Sequence, residues 1–251
     1  MIDTSNKKQH LLFALVFLFS MILSSVPLLS SGTHSGHDLG FHLYRIVSLS
    51  DALSKGAFPV RIYPERFNNY GYGSPLFYCD FFLLIPAVLH NAFSLDITTC
   101  WKVLMFLLNL ATFFTAYYSY RFLSGSANIG LAATFLYTLS TYRLLDIYTR
   151  AAIGESCALV FFPLVFCGLV QVLREHPSGW LTLTVGYTGI LLSHTLSFLY
   201  RLVRTIRISS GLPFHLRTSS TCCWKERRPV RPTKVFFPSL PVTASPRLPA
   251  F

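Results

Sequence analysis

Long apolar runs separated by short polar breaks set the pattern of this chain. Leu11 to Ser30 is about twenty residues without a charge. As a helix rising roughly 1.5 Å per residue, it is long enough to cross a hydrocarbon core of about 30 Å. Lys7 and Lys8 precede it, which places its start on the cytoplasmic side. The basic start and the small residues Ser30, Ser31 and Gly32 also fit a secretory signal peptide. An apolar run of this length with further runs behind it favours an uncleaved first helix. The further runs are Pro75–His90, Trp101–Leu123, Ala127–Tyr142, Cys157–Leu173 and Trp180–Tyr200. Breaks such as Ser124-Gly125-Ser126 and His176-Pro177-Ser178-Gly179 punctuate them.

Pro75–His90 decides the topology. It is about sixteen residues long, opens with a proline and contains Asp80 and Pro86, which suits a re-entrant or interfacial segment better than a spanning one. Five spans then remain, Arg121 and Arg174 fall inside, and Tyr142–Glu155 becomes a second outer loop. Asp38, Asp146, Arg150 and Glu155 share one face in that arrangement. If Pro75–His90 crosses, the basic tail falls inside instead, as the charge rule prefers. The first arrangement gathers the ionisable residues and is the one expected. The fold class is therefore all-α, a polytopic membrane helix bundle of about five spans with a long first outer loop carrying juxtamembrane helices. The expected location is the cell membrane, with multiple passes.

Composition agrees with the apolar pattern: 52% of residues are hydrophobic and 12% charged, more apolar surface than a soluble core needs. The formal net charge of +11 acquires a different meaning once it is located along the chain. Residues 201–251 hold ten basic residues against Glu226 alone, so only +2 belongs to the first 200 residues. That excludes nucleic acid as the expected partner. Six cysteines form no C-x-x-C pair and have no histidine at zinc-ligand spacing, so they are read as small apolar residues. A Cys79–Cys100 disulfide stays open if both lie outside the cytoplasm.

After Tyr200 the apolar periodicity stops, and seven of the fourteen prolines fall in the last 51 residues. The domain division is therefore 1–200, a membrane domain, and 201–251, a basic Pro/Ser/Arg-rich tail, disordered or frame-shifted. Either the tail binds anionic lipid or it comes from a shifted frame that truncates a longer membrane protein. The second reading is preferred, and the tail carries no functional inference.

Two clusters carry candidate chemistry. Asp38, His42 and Arg45 are spaced i, i+4 and i+7 just past the first run; on a helix they share one stripe, with Leu39, Ile46, Leu49 and Leu53 as its apolar flank. A solvated helix face with an Asp–His pair is the bland alternative. His34, His37, Asp38 and His42 also offer metal donors, but at no diagnostic spacing, and no metal site is assigned. The second cluster runs from Tyr142 to Glu155 and holds Arg143, Asp146, Arg150 and Glu155 between two apolar runs. Charges in such a position are paired or functional, and Arg150 with Asp146 at i−4 also reads as a structural ion pair. Tyr70 and Tyr72 lie in a Gly- and aromatic-rich loop that suits an interfacial belt or a sugar-stacking surface. His194, inside the last run, is read as an interhelical hydrogen-bonding residue.

Five stretches together resemble the GT-C superfamily of membrane glycosyltransferases. They are Asp38 with His42 and Arg45, Lys55-Gly56-Ala57-Phe58-Pro59, Tyr70-Gly71-Tyr72-Gly73-Ser74-Pro75-Leu76-Phe77-Tyr78, Arg150-Ala151-Ala152-Ile153-Gly154-Glu155, and Ser193-His194. The closest likeness is to the bacterial family labelled 6-pyruvoyl-tetrahydropterin synthase-related membrane proteins, although no soluble pterin-synthase pattern accompanies the label. The resemblance implies a catalytic carboxylate on the first outer loop, at Asp38, and a second acidic residue at Glu155, which Asp146 could replace. It implies a polyprenyl-phosphate sugar donor, an envelope glycan or lipid acceptor, and inversion at the sugar. His42, Arg45, Arg150, Tyr70 and Tyr72 are the substrate- or phosphate-binding candidates. The charge of the departing phosphate falls to Arg45, Arg150 or a divalent metal held by carboxylates, and the cofactor is otherwise unknown. Such enzymes carry many more spans and commonly a soluble C-terminal domain, so the expectation is a truncated form of a longer enzyme. The alternatives are a non-enzymatic transporter or scaffold subunit, or an inactive remnant.

Overall fold

The computed structural model describes residues 4–33, 36–194 and 198. The basic tail at 201–251, His34 and the end of the last apolar run lie outside the described residues. The described part is helical: α1 (Thr4–Ser25), α2 (Leu39–Ser54), a four-residue turn α3 (Arg66–Asn69), α4 (Leu84–Phe93), α5 (Ile97–Ser124), α6 (Ala127–Thr138), α7 (Thr141–Leu145), α8 (Ile153–Leu173) and α9 (Gly179–Ser193). Among the described residues the one extended pairing is an antiparallel bridge between Tyr63 and Tyr72.

Among the described residues three helical segments are long and apolar enough to cross a membrane: Lys7–Leu29, Ile97–Ser124 and Ile153–Leu173. The Pro75–His90 run instead forms a shorter apolar helix over Phe81–Phe93, which at about 1.5 Å per residue falls well short of a 30 Å core. The sequence explains where α5 begins and ends. Asp96 caps its start by accepting the Thr98 amide at 3.0 Å, and Gly125 ends it in the left-handed conformation at φ 66°.

Within α8, Pro163 has no N–H to give to the carbonyl of Leu159. The Tyr137 hydroxyl of α6 donates to that carbonyl at 2.6 Å, and the Thr115 hydroxyl of α5 donates to the next one, Val160, at 2.7 Å. An apolar bundle has no water to do this, so neighbouring helices satisfy the freed groups. The α8 and α9 backbones approach so closely that a Cβ on Gly168 would lie 2.5 Å from the Leu183 nitrogen. That is the small-residue contact typical of membrane helix pairs.

A second polar pin sets which ends of the helices meet. Arg143 donates through Nη2 to Asn109 Oδ1 at 2.6 Å and through Nη1 to the Thr138 carbonyl at 2.9 Å. The Asn109 amide donates to the Ser24 carbonyl at 3.2 Å, and the Tyr148 hydroxyl donates to the same carbonyl at 2.5 Å. Lys102 reaches the Ser30 carbonyl. The C-terminal end of α1, the first half of α5 and the approach to α8 thus meet at one end of the bundle. At the other end Phe122, late in α5, packs edge-on against His176, between α8 and α9, with ring centroids 5.1 Å apart.

Helix α2 is not a surface helix with a solvated stripe. Leu39, Ile46 and Leu49 join the main core with Leu104, Ala87 and Val160, and His42 and Arg45 are buried with them. Cys79 and Cys100 are both free thiols.

Candidate functional site

The site forms where the segment before α2 docks against the segment before α8. The His37 amide donates to the Thr149 carbonyl at 3.2 Å and the Asp38 amide to the Arg150 carbonyl at 3.0 Å. Gly36 makes this docking possible, because a Cβ there would sit 2.7 Å from the Cβ of Ala151. Asp146–Arg150 is a π-helical turn, and Ala151 closes it in the left-handed region at φ 55°. A non-glycine residue held there costs backbone energy, and such turns gather at functional sites.

A cleft of about 150 Å³ opens at this junction, lined by Asp38, His42, Arg45, Arg150, Glu155 and His194 among others. Four segments separated by up to 156 positions meet there, from Asp38 to His194, with Tyr78 and Cys79 between them. The Asp38 carboxylate is exposed, sits at the N-cap of α2 without capping it, and has no hydrogen-bond or ion-pair partner among the described residues. Glu155 accepts from Arg150 Nη1 at 2.8 Å and from the Tyr142 hydroxyl at 3.1 Å.

Arg150 is shared. Its Nη1 also donates to Asp146 Oδ1 at 2.8 Å, while 43% of the side chain stays exposed. Asp146 is fully buried, and Ser156 donates to its Oδ2 at 3.1 Å. Burial, with the nearby charge of Glu155, pushes its carboxyl up to about 7. Two carboxylates on one guanidinium cannot both be fully compensated, and the more buried one holds its proton longer. Asp146 therefore supports the site from behind rather than replacing Glu155 in it.

Arg45 departs from the sequence reading. It is 1% exposed, and its guanidinium is engaged by Asp80: Nε donates to Oδ1 at 3.0 Å and Nη2 forms an ion pair with the same oxygen. Nη2 also reaches the Cys79 carbonyl at 3.2 Å, and Nη1 meets His42 Nδ1 at 3.2 Å. The Tyr63 hydroxyl donates to Asp80 Oδ2 at 2.6 Å. A cation this fully partnered is not available to a phosphate, so Arg45 organises the cleft wall instead. Tyr70 and Tyr72 do not line the cleft. Tyr70 is 91% exposed, and Tyr72 is tied by its backbone to Tyr63.

Sequence reasoning left Asp80, Cys79 and Cys157 out of the candidate site, although the latter two line the cleft. One signal was available for Asp80: an acid inside an apolar aromatic run needs a cation. No group of three His, Cys, Asp or Glu side chains among the described residues converges as a metal site. A divalent cation carried in on a phosphorylated substrate needs only one or two carboxylates, and Asp38 is the cleft carboxylate with no partner.

Next to the cleft lies an apolar groove of about 250 Å³, lined by Leu49, Phe58, Val60, Phe81, Leu84 and Leu192 among others. Cys79 lines both. The turn Phe81–Leu83 separates them, with Phe82 and Leu83 on the cleft and Phe81 on the groove.

The described residues thus form an all-helical body with three helices fit to cross a membrane and a charged cleft where α2 and α8 begin. No family model matches it, and no solved structure matches it. It is similar to an uncharacterized protein of Lactococcus lactis subsp. cremoris, with 25% identity over 195 residues that cover 76% of this chain and 32% of that protein. The chain spans about a third of the length of the curated relative it matches.

Proposed function

We propose that this chain carries the catalytic end of a membrane glycosyltransferase that moves a sugar from a polyprenyl phosphate to an envelope glycan or lipid acceptor. The bundle crosses the membrane five times, through α1, α5, α6 with α7, α8 and α9. The cleft then opens on the outer face. This topology is supported by the meeting of the α1 end, the α5 start and the α8 start at one end of the bundle.

The observation that carries the reading is the convergence of Asp38 and Glu155, from separate outer segments, on one cleft in which Asp38 is the carboxylate without a partner among the described residues. Asp38 takes the proton from the acceptor hydroxyl as that oxygen attacks the sugar C1 from the face opposite the phosphate. The C1–O bond to phosphate breaks, and the electron pair leaves on the polyprenyl phosphate. Arg150 and the first-turn N–H groups of α8, which no side chain caps, face the charge that develops there. Glu155 and Asp146 hold Arg150 in place, and the adjoining apolar groove suits the lipid end of the donor.

General-base help is worth roughly 10²–10⁴-fold. Asp38→Asn protein in membranes supplied with a radiolabelled polyprenyl-phosphate hexose should lose transfer by that factor while Tyr70→Ala keeps it. Transfer by Asp38→Asn at the unmodified rate rejects the assignment.

A further inference from the structure

His42 is held on two sides. Its ring stacks on Trp101 of α5, with centroids 6.2 Å apart and planes 15° apart. Its Nδ1 lies 3.2 Å from Arg45 Nη1. Arg45 is fixed in turn by Asp80, and Asp80 by the Tyr63 hydroxyl. A guanidinium in a protein can only donate, so Nδ1 is the acceptor and the ring proton sits on Nε2. His42 also lines the charged cleft.

We propose that His42 is a fixed neutral hydrogen-bond donor, presenting Nε2–H to a phosphate oxygen of the substrate, and that Asp80 is the positioning residue that holds it so through Arg45. The identity of the ligand rests on the glycosyltransferase reading; the state of the ring does not. Burial, reinforced by the charge of Arg45, draws the imidazole pKa down to about 3, so the ring stays neutral across the working range. The other titratable groups around the cleft are Asp38, Tyr78, Cys79, Arg150, Glu155, Cys157 and His194. A neutral imidazole that polarises an oxygen without surrendering its proton is an established catalytic device. It adds no positive charge that would bind Asp38 and quench it as a base.

The test starts with the ring itself. In full-length protein in nanodiscs, labelled with ¹⁵N-histidine, His42 is assigned among the eight histidines by its loss in His42→Gln. Between pH 5 and 8 it should remain neutral with the proton on Nε2, and adding geranyl phosphate should shift that N–H resonance. Protonation of His42 in this range, a proton on Nδ1, or no response to geranyl phosphate overturns the proposal.

In the transfer assay His42→Ala should lower kcat on the order of 10²-fold with KM little changed, and His42→Gln should recover part of the loss. Asp80→Asn should lower kcat as well, and the double variant should be no worse than His42→Ala. Additive losses, or a normal kcat in His42→Ala, would remove His42 and Asp80 from the reaction while leaving Asp38 assigned. Conversely, a fully active Asp38→Asn with the ring as described ends the reading of Asp38 and leaves the donor standing.

Discussion

Asp146 offers the sharpest quantitative test of the charge arrangement behind the cleft. Its side chain is 0% exposed and bonds Arg150 and Ser156. Asn in its place keeps both bonds and removes only the titration. Burial lifts its carboxyl from an ordinary 3.8 to about 7, so the folded protein retains a proton that the unfolded chain releases between those values. The unfolded state then binds fewer protons, and stability must fall as pH rises through this window. At about 1.36 kcal/mol per pH unit the ceiling is about 4 kcal/mol, fully lost above about pH 7. For a body of this size each kcal/mol moves Tm by roughly 2–4 °C, so the ceiling corresponds to about 8–16 °C. Thermal melts of detergent-solubilised protein should therefore show the advantage of the unmodified chain over Asp146→Asn shrinking from pH 4 to pH 8. Parallel curves for the two proteins across that range would refute the argument, because they would mean that Asp146 titrates normally and is not buried beside Glu155.

Two further outcomes follow from the bundle and its topology. Tyr137→Phe should destabilise the protein by about 0.6–1.7 kcal/mol, the usual span for a hydrogen bond between membrane helices. The loss should shrink when Pro163→Ala restores a helical donor to the Leu159 carbonyl; an unchanged loss in that background disproves the repair. In a cysteine-free background, Asp38→Cys, Leu95→Cys and Glu155→Cys should react with impermeant maleimide from outside, and Ser124→Cys only from inside. Opposite sidedness of positions 38 and 155 would separate the two carboxylates and remove the shared site.

What was legible in the sequence was whatever lies along one helix or one loop. The apolar runs around α1, α5 and α8 carry enough length and hydropathy to declare themselves, and Pro75–His90, with its proline and acid, forms only a shorter apolar helix over Phe81–Phe93. The i, i+4, i+7 stripe on α2 placed His42 and Arg45 beside Asp38. What one sequence cannot display is a pairing across 35 positions, such as Arg45 with Asp80, and that pairing changed the role of Arg45 from phosphate ligand to support. The aromatic loop misled for a related reason. Tyr70 and Tyr72 carry the rings a sugar site uses, but Tyr72 is bridged to Tyr63 and of that loop it is Tyr78 that lines the cleft.

The correction at Arg45 also bears on the base chemistry proposed for the cleft. A free guanidinium one helical turn from His42 would compete for the Asp38 carboxylate and lower its affinity for a proton. By spending Arg45 on Asp80, which is itself held by Tyr63, the fold cancels that charge inside the wall. The nearest cation left for a substrate is Arg150, already half-committed to Asp146 and Glu155. Both acids pair with Arg150 Nη1 at 2.8 Å, so the guanidinium is held on the Glu155 side of the cleft. Removing one member of the Arg45–Asp80 pair would leave a buried charge uncompensated at a cost of about 3–5 kcal/mol. The same pair therefore serves stability and the separation of charges that the proposed reaction requires.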